Sequence, residues 1–183
     1  MHLPSHFLAG WILSEIKPLE KRDRWIIALS SVFPDIDGIP IVFGVEAYQK
    51  WHHSFGHSLL AGLGLALLVY FLSVRKAWVT ILSLVSFHVH IALDYFGSGG
   101  PYGSIWSIKY LWPFSEQGYF PSFQWALHSP INISLTIFFM VIVIILGARR
   151  ERSPFEIISA SGDSKVVWVF KRWCRMKDEN GKD

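Results

Sequence analysis

Apolar and polar positions divide the chain into five stretches that predict helices. Residues 58–74 (SLLAGLGLALLVYFLSV) and 131–147 (INISLTIFFMVIVIILG) contain no charged residue. About 20 residues at 1.5 Å rise each cross a bilayer core, so both stretches predict transmembrane helices. Residues 77–96 are as long and as apolar, yet their second half carries His88, His90 and Asp94. An ionisable group inside a span is costly and by default marks function. Two weaker stretches come first, residues 5–16 and residues 24–41, the latter interrupted by Pro34 and Pro40. They predict short or partly inserted helices. The expected fold class is all-α, an integral membrane helical bundle of about five helical segments.

Composition sharpens this picture. Of 183 residues, 51% are hydrophobic and 17% charged, against about 25% charged in an ordinary soluble domain. Disorder, a coiled coil and a nucleic-acid-binding arm are excluded, and the formal charge of +3 fits cytoplasmic loops better than a nucleic-acid partner. A single cysteine, Cys174, permits neither an internal disulfide nor a thiolate zinc site. Threading the five stretches back and forth puts 15 of the 17 Lys and Arg residues on one side, with only Lys50 and Lys109 on the other. By the positive-inside rule that side is cytoplasmic, along with the C-terminus. The N-terminus and all eight histidines then fall at the extracytoplasmic end.

Imidazoles and carboxylates without thiolates are the donors of a hard-to-borderline metal site. Topology gathers His6, the Pro34-Asp35-Ile36-Asp37 run, the Trp51-His52-His53-Ser54-Phe55-Gly56-His57-Ser58 run, and His90 with Asp94. His90 and Asp94 are spaced i, i+4 and share one helix face; His88, two residues before His90, is turned about 200° away from it. Each piece has a plainer reading: a capping His6, a turn at Asp35 and Asp37, an interfacial patch at His52, His53 and His57. Their joint occurrence at one end favours metal. The expected ligands are His6, Asp35, Asp37, His52, His57, His90 and Asp94. Seven donors exceed the needs of one tetrahedral ion, which implies divalent metal, zinc first, with two ions per site. A spare carboxylate, Asp35 or Asp37, is the expected general base. His128 is either an eighth ligand or an interfacial histidine, and the latter is favoured.

These motifs resemble those of bacterial membrane-bound proteins described as predicted metal-dependent hydrolases, several of them inner-membrane proteins. The shared pattern is Ser/Thr-His, Pro-Asp-x-Asp, His-Arg-Gly-x-Thr-His-Ser, His-x-x-x-Asp and Trp/Tyr-Pro-Phe. Here it is matched by Ser5-His6, residues 34–37, residues 52–58, residues 90–94 and Trp112-Pro113-Phe114, across the first 115 residues. The third motif departs: His53 stands for Arg, Ser54 for Gly and Gly56 for Thr, which leaves His53 as a possible substitute ligand. The resemblance implies a hydrolase-type metal site and an inner-membrane location without naming a substrate. The His-x-x-x-Asp element is also similar, over a few residues, to zinc-dependent phospholipase C.

Between the last two spans, residues 97–125 hold Tyr102, Trp106, Tyr110, Trp112, Phe114, Tyr119, Phe120, Phe123 and Trp125. Such a loop suits either an interfacial belt or a substrate surface beside lipid headgroups. Residues 1–152 are thus expected to form a membrane-embedded metal-dependent hydrolase domain. Residues 153–183 are expected to form a basic, aromatic cytoplasmic tail, with a polar hinge at 159–164 and a helix on an anionic leaflet. The expected function is hydrolysis of a phosphoester in a lipid or lipid-linked substrate. The alternative is a non-catalytic membrane protein that uses the metal for structure, sensing or ion transport.

Overall fold

The computed structural model describes residues 1–100 and 104–175; of the loop aromatics, Tyr102 lies outside them. The chain is all-α. Its helices are α1 (Leu3–Ser14), α2 (Lys21–Ser30), α3 (Val45–Trp51), α4 (Leu59–Leu72), α5 (Lys76–Gly97), α6 (Pro130–Arg150) and α7 (Ala160–Trp173), with 3-10 helices at Phe33–Phe43 and Pro154–Ile157. No strand occurs among the described residues; two isolated bridges, Gly99 with Ala126 and Ile108 with Tyr119, pin the long loop. Helix α1 packs against α2, α5 and α6, while α4 packs on α5.

Two helices, α5 and α6, are long and apolar enough to cross a membrane. A third span is available if α2 and the following 3-10 helix, bent by 56° at their junction, act together. The expectation of a transmembrane helix over residues 58–74 needs correction. Helix α4 has 14 residues, about 21 Å at 1.5 Å each, against a hydrocarbon core of about 30 Å. Its ends explain the shortness. Ser58 caps the start, its hydroxyl accepting from the Ala61 amide at 3.1 Å. At the far end the Val74 and Arg75 amides donate to Asp23 at 2.8 and 2.9 Å, which turns the chain directly into α5. The outer face of α4 remains apolar and exposed at Leu63, Leu67 and Phe71, a surface suited to apolar surroundings.

The tail also differs from expectation. The residues expected to form a hinge are the first turn of α7, capped by Ser159, whose hydroxyl accepts from the Gly162 amide. Phe170 of α7 joins Leu8, Trp11, Ala28, Val143 and Ala148 in one apolar cluster, so α7 docks on the bundle through this ring. Trp168 and Trp173 stay exposed.

The loop after α5 is held down by two amide side chains. Asn132, at the start of α6, donates to the Gly97, Ala126 and Leu127 carbonyls and accepts from the Trp125 indole at 2.7 Å. Gln124 donates to the Asp94 and Tyr95 carbonyls and accepts from the Trp106 amide. These bonds set the loop across the end of α5 that carries Asp94.

A histidine and carboxylate cluster as candidate metal centre

Five of the eight histidines converge at one end of the bundle. His6 comes from the first turns of α1, Asp35 and Asp37 from the 3-10 helix, His52, His53 and His57 from the connection between α3 and α4, and His90 and Asp94 from α5. The centre is the Asp94 carboxylate, nearly buried, approached by four imidazole Nε2 atoms. His90 Nε2 lies 3.1 Å from Oδ2, His57 Nε2 3.4 Å and His53 Nε2 3.5 Å, while His6 Nε2 lies 3.2 Å from Oδ1. Asp35 Oδ1 is 3.6 Å from His90 Nε2. The Met1 amino nitrogen contacts Asp94 Oδ1 as well. His6 stacks on His90 with ring centroids 3.7 Å apart.

The far sides of two rings fix which nitrogen faces inward. His90 Nδ1 lies 2.7 Å from the Ser31 carbonyl oxygen. A carbonyl only accepts, so Nδ1 carries the proton and Nε2 presents a lone pair to the cluster. His57 Nδ1 lies 2.9 Å from Asp37 Oδ2. The same carboxylate accepts from His52 Nδ1 at 2.8 Å, the Ser54 amide at 3.0 Å and the Gly56 amide at 3.2 Å. Four donors fill the acceptor capacity of an ionised carboxylate; Asp37 is therefore anionic and His57 donates from Nδ1. Burial pushes the His57 pKa down despite the Asp37 bond, keeping the ring neutral. His57 Nε2 and His90 Nε2 then face each other at 3.2 Å as two lone pairs. That arrangement is repulsive unless a cation lies between them.

The donor set fits such a cation. Zinc bound to nitrogen at 2.0–2.1 Å in a tetrahedron has donor–donor edges of about 3.3–3.4 Å. The known separations among His57, His90, Asp94 and Asp35 run from 3.1 to 3.6 Å, and these four offer donor atoms all within 4.8 Å of one another. A second group, Asp37, His52 and His57, meets the same distance test, but its nitrogens and oxygens are already hydrogen-bonded to each other. His6 and His53 are buried with no hydrogen bond at either ring nitrogen. An unpaired buried polar atom costs about 1–3 kcal/mol, so these four nitrogens are costly as they stand.

The remaining histidines stay outside. His88 is exposed, bonded from Nδ1 to the Leu84 carbonyl and from Nε2 to the Tyr110 hydroxyl at 3.0 Å. His128 rests against His2, ring centroids 5.8 Å apart. Tyr48, which the sequence did not single out, and Trp106 of the aromatic loop complete the surroundings. Tyr48 stacks on His52 with centroids 4.6 Å apart, and its phenol is pushed up to about 12, by burial first and then by Asp35 and Asp37. Its i, i+4 spacing from His52 was the available signal. Trp106 packs on both His52 and His53. Nothing local marked the Ser31 carbonyl. Asp35 is the most open of the acidic groups, with a side chain 25% exposed against 0% and 2% for Asp37 and Asp94.

Comparison with known families meets this geometry from the other side: the model of the YdjM inner membrane protein family matches residues 1–171. The chain belongs to that family. It is thus a membrane protein, and the match extends past the histidine and carboxylate cluster through most of α7. No curated protein and no solved structure matches the chain.

Proposed function

We propose that this YdjM-family protein is a membrane-embedded metal-dependent hydrolase acting on a phosphoester of a lipid or lipid-linked substrate. The observation that carries the reading is the convergence of His57, His90, Asp94 and Asp35, with two inward lone pairs only 3.2 Å apart. Those four residues would hold a divalent ion, with zinc the best match to nitrogen and oxygen donors at these edges. Such an ion supplies Lewis acidity toward a phosphoryl oxygen and acidifies water.

The chain's own residues divide the remaining work. Asp37 orients His57 and His52 from behind, as carboxylates behind ligating imidazoles do, and its filled acceptor capacity favours Asp35 as the proton-accepting base. Asp35 is also the carboxylate that solvent reaches. Tyr48, kept protonated, is a hydrogen-bond donor beside the two acidic groups. Exposed Phe114, Phe120 and Phe123 on the loop over the site favour a substrate that arrives from the membrane surface. The sorting of basic residues away from the cluster favours an extracytoplasmic site and N-terminus with a cytoplasmic C-terminus.

A second reading has an observation of its own. His6, His57 and His90 are wholly buried, as in a closed structural site that keeps no open coordination position. Hydrolysis assays separate the two: zinc-loaded protein in lipid nanodiscs is tested on phospholipid and on bis(p-nitrophenyl) phosphate, with and without chelator. Chelator-sensitive turnover that Asp35→Asn abolishes supports the hydrolase. Full zinc occupancy with no turnover of either ester supports the structural site.

A further inference from the structure

His53 has no place in the four-donor set, and its surroundings do not explain it. The ring is 1% exposed, and neither nitrogen has a hydrogen-bond partner. Its backbone is left-handed at φ 64°, a conformation uncommon outside glycine, although histidine tolerates it better than most. The turn is held from outside, where the His53 carbonyl accepts from the Lys109 amide at 2.9 Å. The ring is boxed by His52, His57 and Trp106, with centroids 4.4, 4.5 and 5.0 Å away. Packing alone would be served by an apolar side chain without two unpaired nitrogens. Instead Nε2 lies 3.5 Å from Asp94 Oδ2, close to the edge of a shared coordination shell.

We propose that His53 is a metal ligand through Nε2, holding a second divalent ion that Asp94 bridges to the ion of His57 and His90. This inference rests on the metal-centre reading above and extends it to a residue outside the recurring motif. The donor count agrees: the first ion takes His57, His90, Asp35 and one oxygen of Asp94, which leaves His53 and His6 as unpaired imidazoles around the same carboxylate. Two ions sharing one carboxylate have the spacing of about 3.5–4 Å that two-metal hydrolytic sites use.

The test is zinc stoichiometry by equilibrium dialysis on the full chain in detergent. Wild type is expected to bind two ions per chain. His53→Asn, a residue that tolerates the left-handed backbone, is expected to bind one, and His88→Ala two. Equal stoichiometry and affinity in wild type and His53→Asn overturns the assignment, and so does a wild type that binds one ion, with the metal centre itself left standing. A wild type that binds none overturns both. If His53→Asn does not fold, cobalt titration of the wild type decides. A spectrum that saturates in two steps at two equivalents supports the second ion, and saturation at one equivalent rejects it.

Discussion

Two buried polar clusters sit at opposite ends of α1, about nine residues or 14 Å apart along its axis, and they differ in what each lacks. Beyond the last turn of α1, Glu15 meets Arg152, which donates from Nε at 3.0 Å and from Nη2 at 2.8 Å. Arg24 donates to Glu156 at 3.0 and 2.5 Å and to the Leu19 carbonyl. Two cations meet two anions, and each guanidinium faces a carboxylate through two nitrogens, an arrangement complete in itself. At the His6 end the Met1 amino group touches Asp94, while lone pairs of His57 and His90 face one another and the four ring nitrogens of His6 and His53 make no hydrogen bond. Both clusters are buried and both unite distant parts of the sequence. Only the second is chemically unfinished, and incompleteness is the better mark of a ligand site than burial or charge.

The comparison can be broken at either end. The largest effect is expected at the finished cluster: Arg24→Ala strands Glu156 in a buried setting and should cost about 3–5 kcal/mol. A thermal melt in detergent should show this loss while zinc stoichiometry in the folded fraction stays at the wild-type value. At the unfinished cluster, saturating zinc should stabilise the wild type by about 2.7 kcal/mol at 100 times the Kd. A chelator should remove that gain, and His90→Ala or Asp94→Ala should abolish it; a zinc response unchanged in both variants would make the two clusters alike. Asp37→Asn keeps the shape but weakens the hold on His57, and isothermal titration should find zinc affinity about 10–100-fold lower. The smallest effect concerns the substrate. Phe114→Ser, at a ring 84% exposed, should lower turnover of phospholipid vesicles while leaving a soluble phosphate diester unaffected, and equal losses on both would remove the loop from the account.

Some of this architecture was legible in the sequence because it follows from local geometry. The i, i+4 spacing of His90 and Asp94 puts them on one face of α5, and His88 faces outward to Tyr110. The all-α class follows from the apolar stretches. What escaped depends on chain reversals and distant carbonyls. The length of α4 is set by Asp23, some fifty residues earlier, capturing the amides that end it. Asp37 looked equivalent to Asp35, two positions away in the same motif, until folding brought the Ser54 and Gly56 amides onto one of them. His53 stood in the sequence as a possible substitute, and its aim depends on a left-handed turn that no periodicity encodes. The ion pairs of Glu15, Arg24, Arg152 and Glu156 were equally hidden, since hydropathy reads their charges only as segment ends.

The central claim, that the unfinished cluster is a metal centre built by His57, His90, Asp94 and Asp35, is tested most directly by zinc K-edge absorption spectroscopy on the zinc-loaded protein. The account predicts a shell of nitrogen and oxygen at about 2.0–2.1 Å, outer-shell scattering from at least two imidazoles, and a weaker imidazole signal in His90→Ala. A zinc shell without imidazole scattering, or one that His90→Ala leaves unchanged, would contradict it.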